Sequence, residues 1–438
     1  MCYNENMKNI EIPKSLQELS DIFEQNGKKL YIVGGFIRNA ILGFCETDID
    51  ICGDSTYEEI KEFLKNSIFS VKLINEKLCT IHIKSKVSEE EFEYSAFREE
   101  EYESGGNHTP TKIKFIKDIK KDAMRRDFTC NSIYYDLQEK KIVDFFDGQR
   151  DVLEHKIKTV NNPQKTFDDD GLRILRMVRL ACELDFNIDE ETFLVAKEKV
   201  SWLKDISQER FNKEIISILF SDFKYDSIKN PNCPRKGINL LCELGAFGYI
   251  FREIGFEIGV DEINKRLKEN WAIVFKVAPS THRLSVFVFE LLKGLKLEIN
   301  KSNIEKVLGK NGLMVNKQEI MVQQELLCAL NESFGILNQD IPPYVQKYGE
   351  NITRVLDLLR VFGEGDNIRS VYKIMKEDNV PIKISDLAIN GDDIIKNFPS
   401  IEKRKYSSIF NRLLKECCFL PEMNTKDNLL KWIRSKSV

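Results

Sequence analysis

The chain has 438 residues, a formal net charge of −4 and eleven cysteines. This length exceeds what one hydrophobic core usually supports, so we expect about two to four folding units. No apolar run is long enough to cross a membrane, and residues 1–12 lack the apolar core of a secretory signal. The cysteines are odd in number and lack zinc-type spacing, which predicts reduced thiols and a cytoplasmic protein. The mild acidity does not exclude RNA as a partner, because RNA binding depends on local basic patches.

Residues 30–54 are predicted to form a strand, a glycine turn, a short helix and a second strand. Gly34 and Gly35 let the backbone approach a ligand closely, and they precede a helix start whose N–H groups suit phosphate. Arg38, about one turn into that helix, can donate a charged fork to the same phosphate. Because strand side chains alternate, Asp48 and Asp50 point the same way and can hold Mg²⁺ bridged by phosphate. Each feature alone is typical of a turn or a solvated strand end, but their order predicts a site for nucleotidyl transfer.

A second cluster lies at residues 125–131, before a strand-like segment. Arg126 can bind phosphate through its planar fork, and Asp127 can accept a hydrogen bond from a ribose hydroxyl. Asn131 ends the cluster. The alternative interpretation is a surface ion pair at a helix start, which contributes little to stability.

The third cluster combines aspartates at 168–170 with a helical pattern that carries Arg173, Arg176 and Arg179. One interpretation is a helix start whose first-turn aspartates favour the dipole. The other places Asp170 and Arg173 at i and i+3 on one helical face, where they read a nucleotide base. A carboxylate accepts and a guanidinium donates, which suits the Watson–Crick edges of cytosine and adenine and mispairs with uracil and guanine. Because unpaired buried polar groups are costly, such a pair can select C and A without a nucleic-acid template.

These motifs occur in the same order as in the class II tRNA nucleotidyltransferases, which the chain resembles and which share a superfamily with bacterial poly(A) polymerases. The matching segments are GGFIRNAILG…DIDI, RRDFTCN, IVDFFDGQRDV and DDGLRILRMVR, and residues 206–214 resemble the neck helix of the family. The resemblance implies two Mg²⁺ ions at two carboxylates, a triphosphate at the glycine turn, phosphate and ribose contacts in the second cluster, and a protein template for the base. It assigns these roles to Asp48, Asp50, Gly34, Gly35, Arg38, Arg126, Asp127, Asn131, Asp170 and Arg173, with Arg176 and Arg179 as further nucleotide-binding candidates. Either Glu91 or Glu93 is a candidate for a third carboxylate beside the metal.

Three positions depart from the family pattern. Asn39 replaces the usual aspartate after Arg38, and Gly171 replaces a proline between Asp170 and Arg173. The loop at 102–115 contains no arginine, and in relatives this loop helps to switch addition from C to A. The resemblance therefore implies C addition more directly than A addition.

The sequence pattern changes from β-rich to helical along the chain. Short β-rich runs at 28–145 precede a helical remainder, which predicts an α+β fold. We expect a polymerase-β-like nucleotidyltransferase head with a mixed sheet at 1–150, and then an all-helical neck at 151–225, body at 226–340 and tail at 341–438. Residues 387–395 and 424–430 resemble the tail of CCA-adding enzymes, which favours that activity over a poly(A) polymerase.

The predicted function is therefore template-independent addition or repair of the 3′-terminal CCA of tRNA from CTP and ATP. The acceptor arm of tRNA would be bound by shape and phosphate, and no obligate protein partner is expected. Three alternatives stay open at this point: a poly(A) polymerase, a partial enzyme that adds only CC or only A, and an RNA-binding protein without catalytic activity.

Overall fold

A computed structural model of the protein describes residues 12–44, 48–103, 106, 110–228, 230–270, 279–349 and 351–436. The chain divides into two compact units. The first comprises residues 1–273 with 311–314, and the second comprises residues 274–310 with 315–438. The division into head, neck, body and tail is finer than this one and remains a prediction.

The described strands all belong to the first unit. In chain order they are β1 (Leu30–Val33), β2 (Asp50–Gly53), β3 (Phe69–Asn75), β4 (Thr80–Ser85), β5 (Glu91–Ala96), β6 (Arg98–Glu101), β7 (Lys112–Phe115), β8 (Tyr134–Asp136), β9 (Lys141–Val143), β10 (Lys156–Ile157) and β11 (Asn187–Ile188). The main sheet has the order β3-β4-β5-β2-β1-β8-β9. It is mixed, because β2 and β5 are parallel while the other neighbours are antiparallel.

Helices surround this sheet and continue beyond it within the first unit. They are α1 (Lys14–Gln25), α2 (Gly35–Leu42), α3 (Tyr57–Phe63), α4 (Ile119–Met124), α5 (Gly148–Leu153), α6 (Pro163–Asp169), α7 (Leu172–Glu183), α8 (Glu190–Glu198), α9 (Gln208–Leu219), α10 (Cys233–Leu244), α11 (Phe247–Ile250) and α12 (Val260–Asn270). The amphipathic pattern of α7 buries most of its residues, and α7 packs against both α9 and α10.

The turn between β1 and α2 requires glycine. All four residues of β1 are buried, so the strand is fixed on both faces. Gly34 then adopts φ of +83°, a conformation that side chains with a Cβ rarely tolerate, and α2 starts at the next residue. Gly43 ends α2 in the left-handed conformation. Beneath the sheet, the rings of Tyr31, Phe97 and Tyr134 pack with centroids 5.7–6.4 Å apart.

The second unit is helical throughout its described residues. Its helices are α13 (Ser280–Gly294), α14 (Lys301–Leu308), α15 (Lys317–Ser333), α16 (Ile341–Lys347), α17 (Ile352–Val361), α18 (Asp366–Glu377), α19 (Gly391–Asn397), α20 (Tyr406–Phe419) and α21 (Lys426–Lys436). Asn390 caps α19 through a reciprocal capping box with Asp393. Asn424 accepts from the Ala388 N–H at 2.9 Å and donates to the Asp386 carbonyl at 3.0 Å, which joins the two tail-like segments.

The prediction of an α+β fold with a mixed-sheet head and a helical remainder is confirmed. Each cysteine in the described part of the chain is a free thiol. Across the same ranges, no helix is both long and apolar enough to cross a membrane.

Candidate active site

The two aspartates of the first motif lie on one exposed face at the start of β2. Asp48 and Asp50 are exposed, whereas Ile49 is 6% exposed and Ile51 is fully buried. This is the alternation expected of a strand with one solvent-facing side. Across the parallel pair, Glu93 of β5 is in register with Asp50 and is also exposed.

The glycine turn lies beside this carboxylate pair. A Cβ built on Gly34 would lie 4.0 Å from Asp50 Oδ2 and 3.9 Å from the carbonyl oxygen of Asn131. The N–H groups in the first turn of α2 have no intrahelical acceptor, so they face the region where a phosphate binds in such motifs. Exposed carboxylate oxygens beside a glycine turn therefore fit a hard divalent cation bridged by phosphate. Within the described ranges, no group of three or more His, Cys, Asp or Glu side chains is arranged to hold a metal on its own.

Both candidates for a third carboxylate, Glu91 and Glu93, have a basic partner on the neighbouring strand β4. Glu91 forms an ion pair with Lys84 at 2.9 Å. Glu93 lies opposite Asp50 and has His82 Nε2 at 3.5 Å from its carboxylate. Glu93 is thus on the strand next to Asp50, but the described residues hold no three-carboxylate group that could bind a metal, so the third carboxylate stays a prediction.

Arg38 is buried against its neighbours, with 4% of its surface exposed. Nε donates to Asn39 Oδ1 at 3.0 Å, Nη1 to Asn131 Oδ1 at 2.6 Å, and Nη2 to the Tyr225 hydroxyl at 3.0 Å. The side chain thus joins α2 to the second motif and to a residue beyond α9. A guanidinium has five N–H donors, so these three bonds take most of its capacity.

Arg126 belongs to a buried polar cluster centred on Asp122. Arg126 Nε donates to the Tyr134 hydroxyl at 2.8 Å, and that hydroxyl donates to Asp122 at 2.7 Å. Arg125 donates to the same carboxylate at 2.8 Å. Burial raises the pKa of Asp122, but Arg125 and Arg126 outweigh it and lower the pKa below its ordinary value. The ionised Asp122 therefore fixes both arginines.

Asp127 and Arg176 form an ion pair in which the carboxylate is buried and the arginine side chain is 35% exposed. Arg176 donates through Nε and Nη2 to Asp127 Oδ2 at 2.8 and 2.6 Å, and the Phe128 N–H donates to Oδ1 at 2.8 Å. Burial raises the pKa of Asp127, but Arg176 and Arg173 outweigh it and lower the pKa to about 2. Arg179 lies further along α7, where it is 2.9 Å from Glu214 of α9.

Asp170 lies before α7 and Arg173 lies within it, so the expected placement of both residues on one face of a helix is wrong, while their role in reading a base stays a prediction. The backbone of Asp170 is extended, its carboxylate accepts the Leu172 N–H at 2.9 Å, and α7 begins only at Leu172. The interpretation that aspartates occupy the first turn of α7 is also wrong, because residues 168 and 169 end α6. Arg173 donates from Nη1 to the Thr166 carbonyl at 3.2 Å and from Nη2 to the Arg125 carbonyl at 2.8 Å.

Gly171 has a specific partner in the loop without arginine. Its N–H donates to the Gly106 carbonyl at 3.0 Å, and the Gly106 N–H donates to the Asp168 carbonyl at 2.9 Å. A Cβ on Gly171 would lie 2.9 Å from the Trp202 carbonyl oxygen, and one on Gly106 would lie 2.5 Å from Trp202 Cβ. Proline could not make the Gly171 bond, because it has no N–H. Other parts of this loop, including 104–105 and 107–109, lie outside the described residues.

The structure adds contacts that the sequence reasoning missed. Asp122 could have been found, since it precedes Arg125 and Arg126 by three and four positions, the spacing of neighbours on a helix. Tyr225 had no such signal, because it lies 187 residues from Arg38. Trp202 donates to Asp168 at 2.8 Å, and no local sequence pattern indicates this contact either.

Two family models match the chain in the regions that carry these contacts. Residues 30–158 match the model "Poly A polymerase head domain", and residues 185–256 match "Probable RNA and SrmB- binding site of polymerase A". The CCA-adding enzyme of Staphylococcus haemolyticus is 26% identical over 430 residues, which cover 97% of this chain and 98% of that enzyme. The chain belongs to the class II CCA-adding enzyme and poly(A) polymerase family. The prediction of a nucleotidyltransferase in tRNA processing is thereby confirmed.

Solved structures of family members share the fold. The CCA-adding enzyme of Bacillus stearothermophilus in complex with CTP superposes with a TM-score of 0.69 at 19% identity, over 96% of each chain. The CCA-adding enzyme of Thermotoga maritima complexed with tRNA-CCA gives a TM-score of 0.62 at 20% identity, over 99% of this chain and 98% of that one. The relation of the head to polymerase-β-like nucleotidyltransferases implies a divalent metal.

Proposed function

We propose that the protein adds or repairs the 3′-terminal CCA of tRNA from CTP and ATP without a nucleic-acid template. The observation that carries the proposal is the exposed Asp48 and Asp50 pair beside the Gly34 turn. A full-length match to a CCA-adding enzyme supports the same substrate and product. An RNA-binding protein without activity would have no use for two exposed carboxylates beside a phosphate-binding turn.

Asp48 and Asp50 would hold Mg²⁺, with Glu93 beside them. When bound, Mg²⁺ would favour ionisation of the tRNA 3′-hydroxyl and stabilise the charge on the leaving pyrophosphate. The first turn of α2 would orient the triphosphate through its N–H groups. Arg126, fixed by Asp122, would add positive charge near the phosphates. Burial lowers the pKa of Arg126, but its contacts with Tyr134 and Asp122 outweigh burial and raise that pKa, so the guanidinium stays charged.

Base choice would come from Asp170 and Arg173. The two backbone carbonyls that Arg173 contacts fix its guanidinium and use two of its five N–H donors. The extended Asp170, anchored by the Leu172 N–H, would present its carboxylate to the exocyclic amine of cytosine or adenine. A base with a carbonyl at that position would place its oxygen against the Asp170 carboxylate. Both groups are hydrogen-bond acceptors, so this arrangement is unfavourable. Asp127, held ionised by Arg176, would accept from the ribose.

The test is to sequence the products of purified protein incubated with Mg²⁺, all four NTPs and tRNAs that lack all, two or one of the CCA nucleotides. The proposal requires addition of the missing nucleotides followed by termination. Addition that stops after CC, or that occurs only on the CC end, would make the protein a partial enzyme. Long A tails on unrelated RNA would make it a poly(A) polymerase. The absence of incorporation, in a preparation that binds tRNA, would favour the RNA-binding alternative.

A further inference from the structure

The hydroxyl of Tyr225 contacts two residues of the first motif, although Tyr225 is far from that motif in the sequence. Its hydroxyl oxygen accepts from Arg38 Nη2 at 3.0 Å and from Asn39 Nδ2 at 3.2 Å. A tyrosine hydroxyl has two acceptor lone pairs, so these bonds use its full accepting capacity. Tyr225 is 6% exposed and its ring packs on Phe44 with centroids 5.1 Å apart. The hydroxyl is therefore fixed in position by both polar and apolar contacts.

Asn39 makes this arrangement particular to the chain. It accepts from Arg38 Nε at 3.0 Å through Oδ1 and donates to Tyr225 through Nδ2. The aspartate that relatives usually carry at this place could only accept, so it could not donate to the tyrosine oxygen. With asparagine, the acceptor for Arg38 Nη2 comes from Tyr225, which lies beyond α9.

We infer that Tyr225, acting with Asn39, is the positioning residue that sets Arg38 against the glycine turn and so controls the affinity for the incoming nucleoside triphosphate. The inference rests on the proposed function. Arg38 lies between the glycine turn and the second motif: a Cβ built on Gly35 would be 3.4 Å from its Nη2, and its Nη1 donates to Asn131 at 2.6 Å. A shift of the guanidinium would therefore move its positive charge relative to the glycine turn, where the proposed function places the triphosphate.

The test is the Y225F variant, which keeps the ring and its packing and removes only the hydroxyl. A charged donor then loses its buried acceptor, which should raise the KM for CTP and ATP about tenfold. The kcat and the KM for tRNA should stay within about twofold, because the lost contact orients the nucleotide in ground and transition states alike. The Kd for CTP, measured by calorimetry, should rise by the same factor as the KM and does not depend on catalysis.

Two further variants separate positioning from stability. Y225F/N39D restores an acceptor, because one aspartate can take both Arg38 Nε and Nη2, and it should bring the KM back towards that of the wild type. Y344F is the matched control, since the buried Tyr344 hydroxyl donates to the Ala329 carbonyl at 2.8 Å in the second unit. Y344F should lower the melting temperature without changing the KM for either nucleotide.

The inference is overturned if Y225F leaves the KM and Kd for CTP unchanged, or if Y225F/N39D shows no recovery. If Y225F fails to fold, the test uses the folded Y225F/N39D protein. A KM for CTP and ATP that is about tenfold above the wild-type value in that protein would exclude a role for the acceptor of Arg38. Failure of the wild-type protein to add C or A to tRNA would instead refute the proposed function, whatever the variants do.

Discussion

Replacing Asp127 with asparagine preserves the size of a buried side chain and removes its charge. In the folded protein, burial raises the pKa of this carboxyl, but Arg176 and Arg173 outweigh burial and lower the pKa from 3.8 to about 2. Each pKa unit corresponds to about 1.36 kcal/mol, so the ionised carboxylate contributes about 2.5 kcal/mol to the free energy of unfolding at neutral pH. The asparagine variant should lose about that amount, because the half-buried Arg176 and the buried Arg173 then keep their charges without this counter-charge.

Amide hydrogen exchange of α7 at neutral pH, measured by mass spectrometry, gives the stability of the region that the ion pair holds. Peptides from α20 and α21 in the second unit serve as an internal reference. The matched control is E101Q, which removes an equally charged group from an ion pair with Lys112 at 3.0 Å in which both side chains are about two-thirds exposed. Because water screens that pair, E101Q should leave the exchange of α7 unchanged.

The effect of Asp127 should depend on pH in one direction. A carboxyl whose pKa is lower in the folded than in the unfolded chain contributes its full stability above the unfolded pKa. That contribution is lost as the pH falls through the folded pKa, here from about pH 4 towards pH 2. The stability difference between wild type and variant should therefore be constant from pH 7 to about pH 5 and shrink below pH 4. An exchange rate in α7 that matches E101Q at every pH would refute the reasoning.

The remaining predictions concern chemistry and base choice. D48A or D50A should abolish incorporation while tRNA binding, measured by filter retention, stays near the wild-type level; normal incorporation by either would exclude the metal assignment. D170A or R173A should relax the selection of C and A more than it weakens triphosphate binding, and unchanged selectivity in sequenced products of both would contradict the protein template. G171P, which restores the residue usual in relatives, removes the N–H that holds the loop and should reduce A addition more than C addition. If G171P reduced the rates of C addition and A addition by the same factor relative to the wild type, that bond would have no link to the switch from C to A.

Local pattern was enough to predict the parts of the site that lie within one element. The exposure of Asp48 and Asp50 follows from the two-residue period of a strand, whatever the strand packs against. The turn at Gly34 follows from the conformational freedom of glycine. The mixed-sheet head and helical remainder likewise follow from a change in hydrophobic period.

Local pattern failed where the chain leaves regular structure. Asp170 was expected inside a helix because the residues after it have helical periodicity. Asp170 instead lies just before α7 with an extended backbone, where its carboxylate accepts the Leu172 N–H and its carbonyl accepts the Arg173 N–H. These bonds stabilise the first turn of α7 from outside it, and periodicity does not show at which residue the helix begins.

The sequence by itself determined the family, the sheet-and-helix order and the identity of the charged residues near the first motif. Tertiary structure decided what surrounds those residues: Arg38 is held by Tyr225, Arg173 is held by the Arg125 carbonyl, and Asp50 is in register with Glu93 on the neighbouring parallel strand. The physical reason is that periodicity and turn chemistry act between residues a few positions apart. The acceptors that orient the buried guanidiniums come from distant segments, and only the packed fold brings them within hydrogen-bond distance.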